Sequence, residues 1–194
     1  MQFSRKKIRS FLVGFVIAIS LLGLVGNFVG PTKVFFPSLV GFSPVSENVY
    51  IDDITRAEKA KRLYSDAYEF TSKNIWHFER SPKVIFCTTQ ESLAKFGLST
   101  QAAITFGTFG IVISPRGWKA YYVRHEMIHH VQIEQMGFVK YWQLPQWFIE
   151  GMAYSMSEDP RPQLSEPWET YRSDFENWYR PEAHDRLWEF AGKL

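Results

Sequence analysis

Residues 121–135 read YYVRHEMIHHVQIEQ, and the pair His125 and His129 within them decides how the whole chain is understood. A separation of four places two side chains on one helical face, one turn apart. Two imidazoles so placed can converge on a single Zn²⁺ ion. Glu126, offset around the helix, reaches water at that ion without occupying a ligand position. Val123, Met127, Ile128 and Val131 give the same helix its core-facing residues. Two ionisable rings and a carboxylate in such company are costly unless they are paired. An accidental five-residue match is the competing explanation, and a third ligand downstream weakens it.

That ligand is Glu150, 21 residues after His129, in the stretch LPQWFIEGMAY of residues 144–154. Gly137 is suited to end the first helix, and Pro145 to stand near the start of a second that continues to Ser157. The short reversal between them lays the two helices side by side. Trp147, Phe148 and Met152 then pack the second helix, Glu150 points at the histidine pair, and Gly151 permits a neighbouring backbone to come close. An isolated glutamate is ordinarily a surface carboxylate; among these hydrophobes and beside this motif the ligand reading is preferred. Three protein ligands leave one coordination position for water.

The region 110–154 resembles the zincin superfamily, and within it the gluzincin branch, in which a second helix supplies a glutamate ligand. His125-Glu126-Met127-Ile128-His129 matches the first motif, and Trp147-Phe148-Ile149-Glu150-Gly151-Met152-Ala153 is similar to the aromatic-rich E-G-x-A helix of aminopeptidase-like members. The resemblance covers about a quarter of the chain. It implies that the strand at 110–114 borders the cleft and pairs with an extended peptide. A metzincin is excluded, because Gln135 stands six residues beyond His129 where that group has histidine. One departure concerns the residue four beyond the ligand glutamate, an aspartate in thermolysin-like members that supports a metal-binding histidine. Here it is Tyr154, and Glu158, a turn further on, is the candidate substitute.

On this reading Glu126 is the general base and proton carrier of peptide hydrolysis. A developing oxyanion needs a donor besides the metal. Tyr171 and His184 are the expected catalytic partners, with Tyr179 and Tyr154 as further candidates, although a structural role is the default for each. His130 and His77 are expected to face elsewhere, and Arg124 and Arg172 to form ion pairs. Trp142, Trp147, Trp168, Trp178 and Trp188 are expected mainly to pack short helices together.

The rest of the chain predicts an α+β class, and the resemblance implies a compact zincin-like domain. A helix is expected from Asp53 or Thr55 to Lys73, with Thr55 and Glu58 as a capping box. Lys83–Cys87 reads as a strand, and Thr88 caps a small helix stopped by Gly97. Residues 102–114, AAITFGTFGIVIS, make two strands or one bent strand before a helix near Lys119.

Residues 11–29, FLVGFVIAISLLGLVGNFV, carry no charge and span about 28 Å as a helix, close to the thickness of a hydrocarbon core. Arg5, Lys6, Lys7 and Arg9 supply the basic flank that stays cytoplasmic. The expected organisation is therefore a basic tail (1–10), a transmembrane signal anchor (11–30), a connector (31–50) and the catalytic domain (51–194). That domain lies on the extracytoplasmic side, periplasmic or extracellular in a bacterium. A cleaved signal peptide is the competing reading, but no A-x-A site follows. Phe35, Phe36, Leu39 and Phe42 in the connector either meet the membrane interface or cover part of the domain.

Beyond the tail the chain holds 18 basic and 20 acidic residues, which gives no electrostatic basis for a nucleic-acid partner. Cys87 is the single cysteine, so no intrachain disulfide can form, and a buried thiol is expected. The expected activity is zinc-dependent hydrolysis of membrane-proximal peptides or proteins. The short domain favours an endopeptidase over an exopeptidase chamber. The alternative is an inactive membrane-associated module that retains the zinc site.

Overall fold

The computed structural model describes residues 32–194. The fold is α+β, built on a five-stranded sheet in the order β1-β2-β3-β5-β4. The strands are β1 (Ser43–Ser46), β2 (Val49–Ile51), β3 (Val84–Phe86), β4 (Ala103–Phe106) and β5 (Gly110–Ile113). β2, β3 and β5 run parallel, while β1 and β4 are antiparallel to their neighbours. Parallel strands covered on both faces are short apolar runs, and VYI, VIF and GIVI fit that description.

The two-residue period of β3 sorts its side chains between two cores. Val84 and Phe86 join Val49, Ile51, Ile111 and Ile113 beneath the helices α1 (Ala57–Asn74) and α3 (Ala120–Tyr141). Ile85 turns the other way and packs with Val112, Cys87, Val34, Phe42 and the small helix α2 (Gln90–Ala94). Cys87 is buried there, and burial pushes its thiol up to about 12, as befits a packing residue.

A third core lies under the remaining helices: α4 (Gln146–Met156), α5 (Trp168–Trp178) and α6 (Leu187–Ala191). Phe148 is fully buried there, edge-on to Phe175 and Trp178. Gly151 of α4 faces the Tyr171 carbonyl of α5 so closely that a Cβ would stand 2.1 Å from that oxygen. The glycine is what lets the two helices touch.

Several expected boundaries move. The connector is shorter than residues 31–50, because 43–46 and 49–51 are strands of the sheet. Its prolines obscured pieces only three and four residues long. Val34 and Phe42 belong to a core, whereas Phe35, Phe36 and Leu39 are exposed. Asp53, rather than a Thr55–Glu58 box, caps the turn before α1, accepting from the Thr55 amide. Thr89, one residue later than Thr88, caps α2 in a reciprocal box with Ser92. Gly137 breaks α3 at φ 71° instead of ending it, and Pro145 stands just before α4, near its start as expected. Among the described residues no helix is long and apolar enough to cross a membrane. The expected anchor at 11–30 lies outside them.

Candidate metal centre

α3 presents His125 and His129 on one face, and α4 brings Glu150 opposite them. The two Nε2 atoms are 3.1 Å apart. Glu150 Oε2 is 3.5 Å from Nε2 of His125, and Oε1 is 3.8 Å from Nε2 of His129. One ligand atom from each residue lies within 4.8 Å of the others, so the group can hold a metal ion. Zinc bound to nitrogen at 2.0–2.1 Å in a tetrahedron separates its ligand atoms by about 3.3 Å. The observed spacings bracket that edge.

The tautomer of His129 is settled by a neighbour. Gln132 donates its amide Nε2–H to the Ile149 carbonyl at 3.0 Å, which turns its Oε1 towards His129 Nδ1 at 2.8 Å. Nδ1 must then carry the proton, and Nε2 offers its lone pair to the centre. Fixing the imidazole through its other nitrogen is how a protein usually orients a histidine ligand. Gln132 is fully buried and also ties α3 to α4 beside Glu150. Its i+3 spacing from His129 was visible in the sequence, but nothing local distinguished it from other polar helix residues. A Gln132→Leu variant is expected to fold and to bind metal about 10–100-fold more weakly, measured by competition with a chromophoric chelator. Unchanged affinity would remove the orienting role.

Burial pushes the carboxyl of Glu126 up, to about 6, although His129 and the Thr105 hydroxyl pull against it. That hydroxyl lies 2.7 Å from Glu126 Oε2 and 2.9 Å from the Glu126 carbonyl. It can donate to either, so it can serve the side chain in both protonation states. Glu150 is also buried, but the His125 hydrogen bond and the attraction of the His129 and His125 rings when protonated outweigh desolvation and hold it below the usual carboxylate range.

These groups open into a cleft of about 610 Å³. One wall is β4, the edge strand of the sheet, through Ala103, Ile104 and Thr105. The strand at 110–114 was expected there; β5 instead lies inside the sheet, paired on both sides and buried throughout. The GIVI run is too apolar for a solvent-facing edge. Tyr122, Tyr154, Arg161, Arg116 and Trp168 form other parts of the wall.

Tyr171 and His184, expected near the reacting centre, do not line this cleft. Tyr171 sits where α5 crosses Gly151. His184 has both ring nitrogens occupied, Nδ1 with the Tyr179 hydroxyl at 2.7 Å and Nε2 with the Ile75 carbonyl at 2.9 Å. That pairing also accounts for Tyr179. The cleft's phenols are Tyr154, packed against the His125 ring at 4.5 Å, Tyr122 and Tyr141, whose hydroxyl is pushed up by burial and by the nearby Glu150 and Glu126. Burial raises the hydroxyl of Tyr154 to about 12 and raises Tyr122 as well, so both stay protonated donors at neutral pH.

Glu158 does not replace the missing aspartate; it is exposed and paired with Arg124, which also grips Asp66 at 3.0 Å. Asp159 next to it is the buried acid, clamped by Arg161. Burial opposes its ionisation, but the Arg161 hydrogen bonds and charge, with a smaller contribution from His125, hold it below its ordinary value. His130 pairs with Glu134 at 3.1 Å on the far side of α3, and Arg172 binds Glu169 at 2.7 Å. Both are structural, as the sequence suggested. Trp142 is two-thirds exposed, unlike the packing role expected of it.

Comparison with models of protein families, with curated proteins and with solved structures gives no match.

Proposed function

We propose that the chain is a zinc-dependent peptidase of the gluzincin type, acting as an endopeptidase on membrane-proximal peptides or proteins. The observation that carries this reading is that His125, His129 and Glu150 meet in one cleft that also holds the buried carboxyl of Glu126. When bound, zinc supplies Lewis acidity that acidifies water and polarises a carbonyl. Glu126 accepts a proton as the water oxygen adds to the scissile carbon, then returns it to the amine as the carbon–nitrogen bond breaks. One of the cleft phenols, Tyr154, Tyr122 or Tyr141, donates to the developing oxyanion.

The outer edge of β4, unpaired among the described residues, supports a polymeric substrate, since an extended peptide can add to it as a further strand. A cleft open along a strand suits an endopeptidase better than a closed chamber. The uncharged segment 11–29 is proposed to tether the domain, holding it on the extracytoplasmic face.

The test is the zinc-supplied full chain in detergent or vesicles, incubated with a mixed peptide library. Internal cleavage that a chelator stops and added zinc restores is the expected result. Stoichiometric zinc with no cleavage would instead make the protein an inactive zinc-binding module.

A further inference from the structure

An exposed apolar stripe runs from the first described residues to the mouth of the cleft. Phe36 and Leu39 are 68% and 83% exposed, and Phe35 packs against Phe109 with the rings tilted and 4.7 Å between centroids. A concavity of about 320 Å³ joins Phe109 to Phe138. Phe138 meets Trp142 at 6.0 Å, with Val139 72% exposed beside them, and Trp142 already belongs to the cleft wall. Scattered surface hydrophobes are ordinary, but a continuous strip drawn from three separate segments marks a contact surface.

The charge around it is one-sided. Residues 32–46, 101–125 and 135–149, which contribute the stripe, contain no aspartate or glutamate. Lys33 and Lys140 lie within those segments. Lys83 and Lys95 add cations by reaching the carbonyls of Phe35 at 3.0 Å and Val40 at 2.9 Å. Such a rim repels a second copy of itself and suits an anionic surface. The chain also leaves the described domain at this stripe, and the uncharged segment 11–29 lies immediately upstream.

We propose that this face rests on an anionic lipid bilayer, with the aromatic side chains at headgroup depth and the lysines among the phosphates. The cleft then opens at the membrane surface, so its substrates are segments lying at or emerging from the bilayer. The membrane contact rests on the tether reading for its geometry, not on catalysis.

Because Cys87 is fully buried, single cysteines introduced by Phe36→Cys, Leu39→Cys and Val139→Cys can be labelled selectively with an environment-sensitive fluorophore. Glu69→Cys, exposed on α1, is the reference. The full chain is reconstituted in vesicles of phosphatidylcholine and phosphatidylglycerol. Labels on the stripe should be quenched by lipid-borne nitroxides and be roughly fivefold slower than the reference to react with an aqueous reductant. Adding Phe36→Asp and Leu39→Asp should return the label at 139 to water. Three outcomes would overturn the proposal. If the chain floats with vesicles while the stripe labels stay as accessible as the reference, the tether stands and the docking face is wrong. Protection from the reductant without lipid quenching would mean that protein, either segment 11–29 or a second chain, covers the stripe. Failure to float at all would remove the tether and the docking face together.

Discussion

Glu126→Gln is expected to leave a folded protein that still binds one metal ion but hydrolyses peptides about 1,000-fold more slowly or less. The substitution is nearly isosteric, and the amide oxygen can still accept from the Thr105 hydroxyl now 2.7 Å from the carboxylate. A neutral amide also relieves the desolvation that pushes Glu126 up to about 6, so thermal stability should not fall. The loss should therefore appear in kcat/KM under metal-saturated conditions, with metal content unchanged. Retained activity would show that another group manages the proton and would dismantle the proposed chemistry, though not the metal centre.

Gly151→Ala should destabilise the fold by about 3 kcal/mol, despite the helix propensity that alanine adds. The new methyl would sit 2.1 Å from the Tyr171 carbonyl oxygen and 2.8 Å from the Phe175 Cβ. The first of those is backbone and cannot swing aside, so α5 must shift as a body. For a domain of this size, a loss of that order lowers the melting temperature by roughly 6–12 °C. Glu150 is the preceding residue, so metal affinity should weaken as well. A melting temperature at or above that of the parent chain would mean that α4 and α5 are not packed this closely.

The parts of this site legible in the sequence were those governed by local geometry. The spacing of His125 and His129 needs only a helix, and Pro145 announces the start of the helix that brings Glu150 back, whereas Gly137 marks a break within α3 and not its end. Gly151 was readable for the same reason, as a small residue amid aromatics on a buried helix. What stayed hidden depends on contacts distant in sequence. Thr105 reaches Glu126 across 21 residues, and Gln132 gains its meaning only from the Ile149 carbonyl. Nothing local told β4 from β5, since the edge of a sheet is a property of strand order. Tyr171 and His184 were selected by chemical type, and one side chain's site is decided by whether its partners lie in the cleft. For His184 they are Tyr179 and Ile75.

The most direct test is X-ray absorption at the zinc edge on the purified full chain, paired with metal analysis of single ligand variants. One zinc per chain, with a shell of two imidazole nitrogens and additional oxygens at about 2.0–2.1 Å, is the predicted result. Changing any one of His125, His129 or Glu150 to Ala should disturb that shell and sharply weaken binding. A parent chain that takes up no metal, or a metal shell that all three substitutions leave intact, would contradict the account.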